Sequence, residues 1–480
     1  MQMSTSTQIQ PIVRLRAMPR TDDARHGAAT SQQQRTGAPA PFSEQTNTSW
    51  GRVKRQRTAV ATPAFLDQLP RVLSSETGRK ILGLGLGRSY GDSCLNDGGA
   101  IVDMTALDRV VAFDPRTGVL RAEAGLSLSE ILRIVVPHGW FLPTTPGTRF
   151  VTLGGAVAND VHGKNHHAAG TLGSSVRRLC LHTSTAGPLE ISPSDNADLF
   201  RATMAGLGLT GLIAWVELQL VRIPGAYLGA QNVPFSGYAE FTAIARESSA
   251  AYEHTVAWID CTTGQDGKST RGLFSRANWL PDGLFRAHED RTSASVPFQM
   301  PGFTLNQLSL KAFNTLYYHA GRLKQGRQRV HYAPFFYPLD ALRNWNRIYG
   351  GAGFYQYQCV VPDASADVAI PAMLGEIARS GQGSCLAVLK TFGAMPSPGM
   401  LSFPLEGVTL ALDFPNRKSS THRLFERLDN VVGEAKGRLY PAKDGRMPSA
   451  LFRSGYPELE RFSTHVDPAF SSDFWRRMNQ

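Results

Sequence analysis

Apolar and polar positions along the chain change rhythm several times, and each change predicts an element. Folded structure is expected to begin near Thr48–Trp50. Phe65–Leu73 carries apolar residues on one side of a short helix, and Lys80–Leu86 (KILGLGL) is a buried strand. Ala100–Met104 forms another strand, and Val110–Asp114 and Val119–Ala124 form a hairpin across a Pro115–Gly118 turn. Ser127 opens a helix whose apolar face is Leu128, Ile131, Leu132 and Val135. Glu130, three residues on, completes a capping box. Ser174–Thr183 and Leu189–Ser192 alternate as strands, Asp198–Ala205 reads as a short helix, and Gly208–Val221 as a turn into a long strand. The mixture predicts an α+β fold. The longest apolar stretch, Leu209–Val221, is interrupted by Glu217, and no run of 18 apolar residues would span a membrane.

Length and charge refine this picture. At 480 residues the chain exceeds the usual size of one core, so two domains are expected. A hydrophobic content of 42% with 19% charged residues is that of a folded protein. The five cysteines are scattered, odd in number and without a C-x-x-C, which predicts reduced thiols and no zinc site. The net charge is +11, but nine basic against three acidic residues up to Arg57 put +6 of it in a Ser/Thr/Gln/Arg-rich leader. Residues 1–47, with almost no apolar periodicity, are read as a disordered basic tail, with weak attraction to anionic membranes as its functional alternative. The leader lacks a secretory h-region, so a soluble or membrane-peripheral protein on the cytoplasmic side is expected. No nucleic-acid motif is present, and no metal site is expected.

Two stretches carry candidate chemistry. Pro146–His167 (PGTRFVTLGGAVANDVHGKNHH) first brings bare backbone close through Gly147, Gly154 and Gly155, then presents His162, Lys164, Asn165, His166 and His167. Such an order suits a phosphate-bearing cofactor beside a polar reaction centre. A glycine-rich turn followed by a solvated loop accounts for it equally well. The second stretch, GLGLGRSYGD, runs from Gly83 to Asp92. It is not a dinucleotide fingerprint, because Arg88 stands where the third glycine belongs and no crossover helix fits before Asp103. A Gly-rich loop between two strands predicts an anion-binding nest instead. Further on, Gln356 and Gln358 alternate in FYQYQCVVP, so a strand aims both amides at one face, either a site or a solvated sheet face. Lys390 interrupts the apolar strand CLAVLK, where snorkelling at a strand end is the plain explanation.

GRSYGD, PGTRFVTLGG, VHGKNHH and GLTGLI, in this order, resemble flavoenzymes of the vanillyl-alcohol oxidase type, and within them the decaprenylphosphoryl-β-D-ribose 2-oxidase family. The resemblance continues through WID (258–260), FFYPLD (335–340), NWNRIYGGAGFYQYQ (344–358), VLKTFG (388–393), LSFPLEG (401–407), GRLYPAKDGR (437–446) and VDP (466–468), covering about residues 50–480. It implies a two-part FAD-binding domain of the PCMH type at 48–225, a substrate domain with an antiparallel sheet at 226–437, and a return to the FAD domain at 438–480.

By resemblance, the FAD pyrophosphate lies near Gly83, Gly85, Gly87, Arg88, Ser89, Tyr90, Gly91, Asp92 and Ser93, and near Thr152, Leu153, Gly154 and Gly155. Gly147, His162, Ile213 and Tyr440 also line the cofactor. Relatives with covalent flavin carry histidine where this chain has Arg88, so non-covalent FAD is implied. Lys443 matches the family lysine near the flavin and the reacting sugar; a surface lysine beside Asp444 is its plain alternative. Tyr90 and His162 close the pocket, and Gln356, Gln358 and Lys390 face the substrate. The implied activity is oxidation of the 2-hydroxyl of a polyprenylphosphoryl ribose, with an NAD(P)H-dependent keto-reductase completing an epimerisation and with peripheral membrane contact. Ala411 replaces a cysteine of the mycobacterial relative that takes no part in hydride transfer, so activity is expected to survive, whereas Phe336 in place of a tyrosine leaves the substrate geometry open. Arg286–Val330 is expected to be a mobile lid. An aldonolactone oxidase and a non-catalytic basic interaction protein are the other readings.

Overall fold

The computed structural model describes residues 41–75, 78–266, 268–289 and 294–480. Most of the basic leader thus lies outside the described residues, as do positions 290–293 of the expected lid. Strand β1, Ser43–Thr48, pairs antiparallel with β2, Arg55–Ala61, so regular structure starts ahead of Thr48. β3 (Ile81–Leu84) and β4 (Ala100–Asp103) complete a four-stranded sheet in the order β1-β2-β4-β3. β2 and β3 both run parallel to β4. No helix lies between β3 and β4, and the glycine cluster forms the connection.

A second sheet holds β5 (Val110–Asp114), β6 (Val119–Glu123), β7 (Val176–Thr183), β8 (Gly187–Ile191) and β9 (Leu212–Gln219), in the order β5-β6-β9-β7-β8 and antiparallel throughout. Helix α1, Leu128–Val135, packs beside it. Leu128, Ile131, Leu132 and Val135 are fully buried, worth about 6–12 kcal/mol together as an upper bound. Ser127 caps α1 by accepting from Glu130 N at 3.1 Å. The expected box stays half-made, because the Glu130 carboxylate accepts from Arg133 at 3.1 Å instead. Helix α2, Leu153–Ala158, begins within the central glycine stretch behind a Thr152 cap.

The third sheet has eight antiparallel strands: β10 (Tyr227–Ser236), β11 (His254–Ile259), β12 (Arg271–Trp279), β13 (Gln328–His331), β14 (Phe354–Pro362), β15 (Ala387–Phe392), β16 (Gly407–Pro415) and β17 (Arg438–Leu439). Their order is β13-β10-β12-β11-β15-β16-β14-β17. One face packs against α3 (Tyr238–Ser249), α5 (Asp363–Arg379) and α6 (Ser419–Glu434), with Tyr357, Cys359, Leu389, Leu410 and Leu412 in that core. Between α3 and α5 in sequence, α4 (Gln307–Arg322) takes up much of the segment expected as a lid. The chain's end returns to the first sheet, where Phe470 bridges Ile81 and Ser471 N donates to Ile81 O at 3.0 Å.

Candidate active site

One cavity of about 3290 Å³ runs from the glycine loop after β3 to the open face of the large sheet. Ordinary small-molecule pockets reach about 1,000 Å³, so this one has room for a dinucleotide and a second ligand. Its two ends differ in what they offer.

At the glycine end, Gly83, Gly85, Gly87, Arg88, Ser89, Tyr90 and Ser93 line the wall. The backbone N–H groups of Leu86 to Ser89 find no hydrogen-bond partner among the described residues. Successive unpaired amides of this kind form a concave donor set for an anion. Gly87 sits at φ +60°, which a side chain would strain, and a Cβ on Gly85 would lie 2.1 Å from Thr152 Oγ1. Thr152 and Gly155 face the cavity across that contact, and Gly147 borders open space. The Arg88 guanidinium stacks 4.1 Å over Trp50 and donates to Phe150 O at 3.0 Å.

Five of the residues expected around the cofactor fall outside this lining. Leu153 N and Gly154 N donate to Leu126 O and Ala124 O, both at 2.8 Å, so these amides are committed to the fold. Ile213 is buried in the core around α1. Gly91 permits a close crossing, since its Cβ would sit 1.4 Å from Asp444 O. Asp92 is buried against Arg477, whose guanidinium also donates to Asp444 at 2.8 Å. Those contacts join the glycine loop to the loop carrying Lys443, and Tyr90 N donates to Ala442 O at 3.0 Å.

The sheet end is organised by register. Gln356 lies opposite Asp413 and Gln358 opposite Ala411 across β14 and β16; Ala411 faces Val388, and Thr409 faces Lys390, across β15. Alternation puts Gln356, Gln358, Lys390, Ala411 and Asp413 on one face, and all five line the cavity. Gln358 Nε2 donates to His162 Nε2 at 3.1 Å, which makes the imidazole an acceptor there and leaves its proton on Nδ1. That Nδ1 is buried without a partner. Burial, with the charges of Lys390, His166 and Lys443, holds His162 well below its ordinary pKa, so the ring stays neutral. Tyr440 completes this corner, with its ring 5.4 Å from that of His162.

Lys443 Nζ lies 4.0 Å above the Tyr90 ring. Burial brings its pKa down to about 8, against the opposing pull of Asp413. Lys390 is brought to about 8 by burial and by Lys443, and Lys164 to about 7 by burial and by Lys390. Lys390 donates to Gly163 O at 3.5 Å, and Lys164 to Phe335 O. None of the three has an ion-pair partner among the described residues. Asp413 was not singled out from sequence, although it continues the alternation of Thr409 and Ala411 that could have marked it. Its Oδ1 accepts from Gln356 at 2.7 Å, its Oδ2 is buried without a partner, and burial pushes its carboxyl up to about 7.

Free amides at one end suit a dianionic, ring-bearing cofactor, and the three converging cations leave room for a second anionic group. Residues 58–192 match the family described as FAD binding domain, and that stretch contains the glycine loop, Thr152, Gly155 and His162. The fold and the cavity thus define an FAD-dependent oxidoreductase. The chain is 35% identical over 447 residues to decaprenylphosphoryl-β-D-ribose oxidase of Mycolicibacterium smegmatis, covering 89% of this chain and 96% of that one. It belongs to that family. It is also 31% identical over 375 residues to an uncharacterized protein in the mprA 5′ region of Streptomyces coelicolor, 74% of this chain and the whole of that protein. Likeness to L-gulonolactone oxidase of Mus musculus is 32% but extends over 151 residues, 31% of this chain and 33% of that enzyme.

Proposed function

We propose that this protein oxidises the 2-hydroxyl of a polyprenylphosphoryl-β-D-ribose-like substrate to the 2-keto form, the first half of an epimerisation that a separate NAD(P)H-dependent reductase completes. One observation carries the substrate class: Lys164, Lys390 and Lys443 face a single cavity with lowered pKa values and no ion-pair partner among the described residues. Keeping cations so placed costs folding free energy, which an anionic ligand would offset. A neutral aldonolactone would leave them unpaired, and the lactone oxidase likeness stops after about a third of the chain.

We assign the roles as follows. FAD, held without a covalent link, supplies the acceptor for the hydride that leaves the alcohol carbon. The amides of Leu86 to Ser89, with Arg88, Thr152 and Gly155, hold its phosphates. Arg88 occupies the position of the linking histidine in covalent relatives and is engaged with Trp50 and Phe150. Tyr90, Tyr440 and His162 border the reacting centre, with Nδ1 of His162 buried and unpaired. As the carbon loses hydride, the hydroxyl must lose a proton. Asp413, whose Oδ2 is buried and unpartnered beside the cavity, is assigned as the acceptor and must turn toward the substrate to take that proton, while Gln356 and Gln358 orient the sugar hydroxyls. Lys443 stabilises the developing alkoxide, and Lys390 and Lys164 take the phosphodiester. On this reading Gln356, Gln358, Lys390 and Asp413 come from the large sheet, while Lys164 and Lys443 reach the substrate from the segments on either side of it.

Stopped-flow flavin reduction tests the reading. A prenylphosphoryl ribose should bleach the flavin at 450 nm faster than arabinono-1,4-lactone or free ribose by at least tenfold, about 1.4 kcal/mol of discrimination. Faster bleaching by the lactone would overturn it.

A further inference from the structure

At the rim of the cavity, helix α4 presents two unlike faces. The inner one is buried at Leu310 and Asn314, and Asn314 donates to Asp260 at 2.9 Å. Tyr317 packs 4.7 Å from Trp258, and both rings line the cavity. The outer face repeats apolar residues at helical spacing, Leu308, Ala312, Leu316 and Ala320, with Leu323 just past the last turn. Leu308, Leu316 and Leu323 are 80%, 72% and 89% exposed. Phe298 and Phe303, in the segment leading into the helix, are 62% and 77% exposed. That segment is fastened in place: Met300 N donates to Arg347 O at 3.0 Å, and Ser309 Oγ to Thr304 O at 2.7 Å.

Scattered apolar residues on a surface need no account, but a row of leucines along one helix does. Charge identifies what covers it. From Ala294 to His331 the sequence holds five cations, Lys311, Arg322, Lys324, Arg327 and Arg329, and no Asp or Glu. Only Arg329 among them has an ion-pair partner within the described residues, Asp282 at 2.8 Å. A leucine stripe with cations beside it and no acidic residue is the pattern of a helix lying in a lipid interface.

We infer that α4 and the segment before it lie flat on an anionic bilayer. The leucine stripe then sits at the headgroup–acyl boundary, and Lys311, Arg322 and Arg327 lie among the lipid phosphates. Because Tyr317 on the same helix lines the cavity, this contact places the cavity rim at the membrane surface. A lipid-linked sugar reaches the lysines from there without its tail crossing water. The biological sense of the contact rests on the proposed substrate. Binding itself is measured without substrate, so its failure leaves the substrate reading standing.

The test is cosedimentation of the full FAD-loaded chain with phosphatidylcholine vesicles, with and without 30% phosphatidylglycerol, about one anionic lipid in three. The wild type should bind the mixed vesicles at least tenfold better than the neutral ones. Leu308→Ser/Leu316→Ser/Leu323→Ser should weaken that binding at least tenfold, and Lys311→Glu/Arg322→Glu at least fivefold. FAD content and flavin reduction by a soluble phosphoribose analogue should stay within twofold, which shows that both variants fold. Replacing Arg14, Arg16, Arg20 and Arg25 by Ser separates the basic leader, and should change binding less than threefold. The inference is overturned if the leucine variant binds as well as the wild type or if the leader accounts for the binding. It is equally overturned if the wild type ignores vesicles and the leucine variant instead abolishes self-association.

Discussion

Asp413 and Lys443 set the acid–base character of the cavity, and their shifts have opposite signs. Burial raises the Asp413 carboxyl to about 7, so its proton-accepting form fills in as pH rises through that value. Burial lowers Lys443 to about 8, so its cation is lost as pH rises further. The two groups act on each other, and the macroscopic pH limbs belong to the pair. The rate of flavin reduction should therefore rise through about pH 7 and fall above about pH 8. Asp413→Asn should lower the rate about 10²- to 10⁴-fold and remove the acidic limb. An acidic limb retained at the same pH would clear Asp413 of the role. Lys443→Ala should abolish turnover or FAD retention, with Lys164→Ala milder. A Lys443→Ala enzyme with normal FAD content and turnover would remove that lysine from the mechanism.

Strands hold Gln356, Gln358, Lys390 and Asp413 and loops hold Lys443 and the glycine stretch, and the contacts between loops are the part hidden from sequence. Strand alternation was legible: FYQYQ showed Gln356 and Gln358 on one face, because a period of two needs no tertiary information. Asp413 obeys the same rule on β16, where it continues the alternation of Thr409 and Ala411, but only the pairing with β14 and β15 shows that this face meets the cavity. Leu153 and Gly154 illustrate the opposite limit. Their glycine-rich context suggested a nest, but Leu126 O and Ala124 O take their amides, a fact set by distant chain. In the segment expected as a lid, the prolines before position 302 mark an irregular start, and the 16-residue helix behind them has no equally plain signal. Arg477 was invisible as well, because it acts from the last helix of the chain. It donates to Asp92 at 2.9 and 3.0 Å and to Asp444 at 2.8 Å, locking the Tyr90 and Lys443 loops together. Removing one partner of a buried ion pair costs about 3–5 kcal/mol. Arg477→Met should accordingly lower Tm and cut kcat at least tenfold, with partial recovery in Arg477→Lys. An unchanged kcat in a stably folded Arg477→Met protein would refute the positioning role.

Across the whole molecule, the proposed function gathers cofactor phosphates and substrate phosphate into one cavity by unlike means. On the proposed reading free amides serve the first at the glycine loop, and the ammonium groups of Lys390 on the large sheet and of Lys164 and Lys443 on adjoining loops serve the second. We propose that the flavin has no covalent tether, since Arg88 cannot form the histidyl link. Acid precipitation should release intact FAD into the supernatant, whereas flavin remaining with the polypeptide would contradict non-covalent binding. The central claim is that the lysine cluster reads a phosphate next to the sugar. Its most direct measurement is an absorbance titration of the FAD-loaded protein with a prenylphosphoryl ribose and with its uncharged prenyl ribose counterpart. Charge-assisted contacts are worth about 1.5–3 kcal/mol each, so the phosphorylated ligand should bind roughly ten- to a hundredfold tighter, and Lys390→Met should erase most of that difference. Equal dissociation constants for the two ligands in the wild-type protein would contradict the account.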